Sequence, residues 1–184
     1  MPPSWLGPNR YALNALPAMP TDAEPLIDAA HAAFMQGAVG VSIATCSQNN
    51  MPNVVRAVGC RVSPDFRLVT ILVSAKQAGA VMADIRRNGK IAVVCSQPST
   101  HRTIQIKGQD AVIGMASGAD LQAVTTYRTA FARELEPFGY EEANIRAMLA
   151  CPDADIVALQ FHPCAAFSQT PGPNAGQPLQ MGHA

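Results

Sequence analysis

Asn53 to Val62 reads NVVRAVGCRV, and after the turn Ser63-Pro64-Asp65 the chain resumes as Arg67-Leu68-Val69-Thr70-Ile71-Leu72-Val73 before Ser74-Ala75-Lys76. Two runs rich in β-branched residues on either side of a proline turn predict a hairpin. Val39 to Cys46 is a similar run upstream, joined to the first by Ser47-Gln48-Asn49-Asn50-Met51-Pro52, a second hairpin signal. Lys90 to Ser96, Arg102 to Ile113 (with Gly108 as a bulge or kink) and Asp155 to His162 bring the expected strands to six. Helical periodicity marks 76–88, where Ala78, Val81, Met82 and Ile85 share a face and Asn88-Gly89 is the stop. It also marks a stretch from Ser117 and Asp120 to Leu135, and a shorter one over 141–150. A first helix is expected from the Thr21/Glu24 capping-box spacing, with Pro25 in its first turn and Gly37 as its end. Because strands and helices do not alternate regularly, a doubly wound parallel sheet is disfavoured. The pattern predicts a mainly β, α+β fold: a small antiparallel barrel with peripheral helices.

Composition narrows the function. The chain has 184 residues, 48% hydrophobic and 14% charged, enough for one domain with a real core and too apolar for intrinsic disorder. Thirteen basic residues balance thirteen acidic ones, so no broad basic face for nucleic acid is expected. No apolar run has the length of a membrane span, and Met1 to Met19 lacks the features of a secretory signal, so a soluble cytoplasmic protein is expected. Residues 1–20 read as a Pro-rich arm, 21–168 as the folded domain and 169–184 as a Pro/Gly-rich tail. Cys46, Cys60, Cys95, Cys151 and Cys164 show no Cys-x-x-Cys spacing, which argues for buried free thiols and against a metal site.

Nucleotide-cradling glycine loops, a Walker loop, a zincin motif and a nucleophile elbow are all absent from the sequence. The positive signal lies in basic residues placed among apolar ones. Arg56 sits inside Val54-Val55-Arg56-Ala57-Val58, where an unpaired guanidinium would be expensive to bury, and Arg61 falls on the opposite face by strand parity. Ser74 and Lys76 stand at a strand-to-helix junction, where free N–H groups, a hydroxyl and an ammonium can converge on an anion. With Arg56 added, the set suits a phosphate. The plainer reading makes Ser74 an N-cap and leaves Lys76 solvated.

Arg56-x-x-x-x-Arg61, Thr70-x-x-x-Ser74-x-Lys76 and the later strand Arg102-Thr103-Ile104-Gln105-Ile106-Lys107-Gly108 together resemble the pyridoxamine-phosphate-oxidase-like FMN-binding split barrels. The resemblance spans about residues 30–115 and the closing strand at 155–163. It implies a six-stranded antiparallel split barrel and a homodimer with FMN at the subunit interface. It also implies a cofactor site drawn from Arg56, Arg61, Val69, Thr70, Ile71, Leu72, Ser74, Lys76 and Thr103. Ser74 and Lys76 would then meet the phosphate, while Thr70, Leu72 and the neighbouring backbone approach the ring. The implied activity is a flavin-dependent oxidoreductase acting on a small substrate, with no obvious acid–base catalyst and no metal.

Departures from the family pattern bear on the substrate. Arg61 replaces a Lys, Ala75 a basic residue and Val69 an aromatic, while Thr103 stands for a Gln. The oxidase's Tyr-x-x-x-Arg-x-x-x-Ser helix has Phe131 and Leu135 after Tyr127, so a true pyridoxamine-phosphate oxidase is not expected. Tyr127, Phe131, Leu135 and Phe138 read as core or dimer surface. A second class stays open: a non-catalytic flavin- or haem-binding protein for storage, sensing or sequestration, the family also including deazaflavin binders. A haem would need His101, His162 or His31 as an axial ligand. His101 reads as a solvated loop residue, His162 as strand-end packing, and His31 as half-buried on the first helix.

Overall fold

In the computed structural model, which describes residues 24–180, the chain forms nine strands and four α-helices. The strands make two antiparallel sheets instead of the six-stranded set expected. The first sheet has the order β2-β1-β5-β6-β9, built from Pro52–Arg56, Gly40–Cys46, Ile91–Ser96, Thr103–Gly108 and Ala165–Ser168. The second has the order β3-β4-β8-β7, from Gly59–Val62, Val69–Ser74, Ile156–Phe161 and Val112–Met115.

The count rises because long β runs cross from one sheet to the other. At the first crossing, Ala57 N donates to Val41 O at 2.9 Å in one sheet, and the next residue, Val58 N, donates to Leu72 O at 2.8 Å in the other. The run expected over 102–113 divides in the same way, β6 ending at Gly108 and β7 beginning at Val112. The third crossing passes through Pro163, from β8 to β9. Bends that let strands change sheets are how two packed sheets form corners. The parity argument that set Arg56 and Arg61 on opposite faces of one strand therefore fails, since they belong to different sheets.

Both expected hairpins form. Ser42 pairs with Arg56 and Cys46 with Pro52 across the first, while Gly59 pairs with Leu72 and Val62 with Val69 across the second. Their turns use left-handed residues, Asn50 at φ 56° and Phe66 at φ 60°. Gly108 is not bulged: it pairs in register with Ile91 as the last residue of β6 before the chain crosses to the second sheet. Its role is close approach, because a Cβ there would lie 2.4 Å from Cδ2 of the fully buried Phe161.

Between the sheets lies a core containing Val41, Ile43, Ile71, Val93, Ile106 and Phe161. Helix α1 is Ala29–Met35, shorter than expected and capped by Asp28, whose carboxylate accepts from His31 N at 2.8 Å. Pro25 thus precedes the helix, and Thr21 lies outside the described residues. Helix α2, Gly79–Asn88, ends on Gly89 at φ 65°. Helix α3, Gly118–Leu135, opens where expected, on a capping box in which Ser117 and Asp120 each accept from the other's backbone N–H. It lies over the second sheet, where Val124 packs with Val58, Leu72, Ile156 and Ala158 in a separate small cluster. Helix α4 is Glu142–Met148. The segment after β9 turns back along that strand, with Gly176 N donating to Ser168 O and Leu179 N to Ala166 O. Covering β9 in this way removes an open sheet edge.

Candidate functional site

Alternation along β4 divides the expected site residues. Val69, Ile71 and Val73 point into the core and are fully buried, so their side chains cannot meet a ligand. Thr70, Leu72 and Ser74 face the other way. Leu72 is sealed there by Val124 of α3, and the approach is close enough that Gly59 beside it has room for no side chain beyond about a methyl: a Cβ would lie 3.2 Å from Leu72 Cδ1. Thr70 lies in a cross-strand row with Arg61 on one side and Gln160 on the other. Strand β4 is flanked by β3 and β8 over most of its length, which commits its backbone groups to the ladder.

The strand-to-helix junction is already occupied by a carboxylate. Asp155, buried at the head of β8, accepts a hydrogen bond from the Ser74 hydroxyl and one from Lys76 N at 3.2 Å, while its carbonyl accepts from Ala75 N at 2.7 Å. Ser74 also receives Gln77 N at 3.3 Å. The donors that the sequence suggested for an outside anion are thus spent on a residue 81 positions away. Lys76 itself points its side chain to solvent and makes no ion pair with another described residue.

Arg61 is engaged as well. Its Nη1 donates to Asp120 Oδ1 at 2.6 Å, tying β3 to the first turn of α3. Burial opposes the charge on Asp120, but the Ser117 backbone and hydroxyl and the Arg61 guanidinium outweigh it, and the net pKa lies below the ordinary carboxylate range. Arg56 differs: it stands exposed on β2 with no anionic partner among the described residues, its Nη1 3.8 Å from where a Cβ on Gly40 would lie. Thr103 is tied to Ser96 Oγ at 2.7 Å, and its N–H to Thr170 Oγ1 at 2.9 Å.

The remaining candidates sort by burial. Tyr127 and Phe131 are buried and stack with ring centroids 5.6 Å apart, in keeping with a core role, whereas Phe138 is exposed. Burial pushes the Tyr127 phenol pKa up. His31 is buried, not half-buried, with Nδ1 2.9 Å from Asp28 Oδ1. His162 does more than pack: its Nδ1 lies 2.6 Å from Asp110 Oδ2 and its N–H donates to Asp110 Oδ1 at 3.0 Å. His101 is exposed, with a left-handed backbone at φ 58°. All five cysteines are free, but only Cys60 and Cys95 are buried; desolvation raises both, Cys95 to about 12, which makes them poor nucleophiles. Cys164 is exposed. Among the described residues no three metal-ligating side chains cluster, and no helix is long and apolar enough to cross a membrane.

The first sheet has one face open. Val41, Ile43, Val93, Ile104 and Ile106 enter the core, while Ser42, Ala44, Val54, Val94, Gln105 and Phe167 alternate to the other side and are exposed or half-buried. Arg56 belongs to this face. At one end it carries a cavity of about 470 Å³ lined by Ala44, Cys46, Ala92, Lys107, Cys164 and Ala165.

Two antiparallel sheets joined by crossing strands, with helices at the periphery, define an α+β fold of the split-barrel type. Solved structures share it. HupZ of Group A Streptococcus superposes with a TM-score of 0.51 at 17% identity, over 82% of this chain and 99% of that one. An F420 reductase gives 0.51 at 14% identity, over 76% and 98%. A pyridoxamine 5'-phosphate oxidase-related, FMN-binding protein of Nostoc punctiforme gives 0.44 at 16%, over 79% and 83%. No family model and no curated protein matches the sequence. At these identities the likeness to HupZ and to the F420 reductase is one of fold alone.

Proposed function

We propose that this chain is a flavin-binding protein, with FMN as cofactor, that acts as an oxidoreductase on a small substrate from within a homodimer. The observation that carries the reading is Arg56, an exposed guanidinium without an anionic partner among the described residues, on the face of the first sheet turned away from the core. Lys76 is another exposed cation with no ion pair among the described residues. These two side chains fit an FMN phosphate by charge. The side chains of Val69, Ile71 and Leu72 do not fit a direct role, being enclosed by the core and α3. When bound, a flavin supplies the redox chemistry, and the protein's part is to hold and orient it.

The open face of small and apolar side chains supports the homodimer, because a second copy would bury it. The absence of a cation at Phe131 on α3 argues against a phosphorylated vitamin as substrate, since its dianion would lack a partner there. Likeness to an F420 reductase supports a reductase reading and makes F420 a useful comparison ligand.

Purified protein titrated with FMN should quench its fluorescence with a saturable isotherm. Arg56→Ala and Lys76→Ala should each weaken FMN binding by about 0.3–0.7 kcal/mol, roughly two- to threefold, as exposed and screened contacts do, with no loss of cooperative unfolding. Absence of flavin binding by the parent, or equal affinity in both variants, overturns the reading.

A further inference from the structure

The Ser74–Lys76 corner has the chemistry of an anion site, yet it is closed from within. We infer that Asp155 is a specificity-determining residue: an internal carboxylate that takes the place of a ligand phosphate at the β4–α2 corner. The inference rests on the flavin reading above and deepens it.

Four facts carry it. The Ser74 hydroxyl donates to one carboxylate oxygen of Asp155, and Lys76 N donates to the other at 3.2 Å. The Asp155 carbonyl takes Ala75 N at 2.7 Å, so the Ser74 hydroxyl and the backbone N–H groups of Ala75 and Lys76 all end on one residue. Asp155 and Ser74 are both buried, at 6% and 3% exposure, so the arrangement is part of the packed fold and not a surface encounter. Finally, Asp155 has no cationic side chain bonded to it: its charge is held by a hydroxyl and a backbone N–H alone. A phosphate approaching Lys76 would therefore meet a fixed negative charge and no free hydroxyl. The phosphate of FMN is left with the exposed side chains of Arg56 and Lys76, where solvent screens the attraction.

The consequence is a flavin site that discriminates weakly between FMN and riboflavin, and in which Ser74 plays no part in ligand binding. Asp155→Asn keeps the shape of the side chain and removes its charge. The amide can donate to Ser74 Oγ, which frees the hydroxyl proton for a ligand. Affinity for FMN should then rise while that for riboflavin stays.

The test is a fluorescence titration of FMN and riboflavin against the parent, Ser74→Ala, Asp155→Asn and the double variant, each first shown to unfold cooperatively. In the parent, FMN should be favoured over riboflavin by less than about tenfold, and Ser74→Ala should leave that ratio within about twofold. Asp155→Asn should raise the ratio by about tenfold or more, and adding Ser74→Ala should reverse the gain. Two results would overturn the inference. One is a loss of about tenfold or more in FMN affinity on Ser74→Ala in the parent, with riboflavin unaffected. The other is an unchanged ratio in Asp155→Asn. Should Asp155→Asn fail to fold, Ser74→Ala in the parent still decides. Failure of the flavin reading looks different: neither flavin binds the parent, and the inference falls with it.

Discussion

Gly108→Ala is a substitution whose sign the structure sets. An ideal Cβ at this position would stand 2.4 Å from Phe161 Cδ2, 2.9 Å from Cγ and 3.1 Å from Cβ. Carbon atoms sit comfortably at about 3.5–4.0 Å, so the ring would have to retreat by roughly 1 Å. It has nowhere to go, because Phe161 is fully buried and its strand is pinned on both sides, Val69 facing it across β4. Gly108 lacks a positive φ, so its backbone would accept alanine. By chain entropy alone the change would stabilise by about 0.4–1 kcal/mol. Overpacking a closed core opposes this by about 1–3 kcal/mol, leaving a net destabilisation on the order of 1–2 kcal/mol. Urea unfolding followed by circular dichroism should show a lower midpoint at unchanged slope. Adding Phe161→Leu, which removes the clashing ring edge, should give a pair less destabilised than the sum of the singles, by at least about 0.5 kcal/mol. Gly108→Ala as stable as the parent, or strict additivity with Phe161→Leu, would show that β6 and β8 do not approach as described.

Asp84 accepts from Asn53 Nδ2 and Thr45 Oγ1, both at 2.7 Å, and from Arg87 at 3.0 Å. The Asn53 bond foremost, then the Thr45 bond, holds its pKa below the usual value. A lowered folded pKa stabilises above the unfolded value and loses that contribution as pH falls through the folded one. Asp84→Asn should therefore be less stable than the parent at neutral pH, with the difference shrinking below about pH 4, as read by thermal melts across pH; a gap that widens on acidification would contradict this. For the dimer, sedimentation at micromolar concentration should give twice the chain mass, with an interface above roughly 2,000 Å². Val54→Lys, at a position 68% exposed on the open face, should shift it to monomer, and a monomeric parent would refute the proposal.

Local signals were legible wherever a few neighbouring residues decide a conformation. The Ser117/Asp120 box, the Asn88-Gly89 stop and the turns at 47–52 and 63–65 all appear where their residue types require, because capping and left-handed turns are short-range stereochemistry. Alternation of β-branched residues likewise marked where strands lie. It did not mark where one strand becomes two: Ala57 and Val58 look like any two strand residues, and only in the folded sheets does Ala57 N meet Val41 O while Val58 N meets Leu72 O on the other sheet. The same limit governs the site. Basic residues at the β4–α2 corner were visible as a local pattern, but Asp155 and Asp120, which take up Ser74 and Arg61, are 81 and 59 positions away. Asp110 with His162 is a third case, at 52. Residue type determines what a side chain can bind; which partner reaches it first is decided by packing, since only the folded sheets bring a distant carboxylate within hydrogen-bond range.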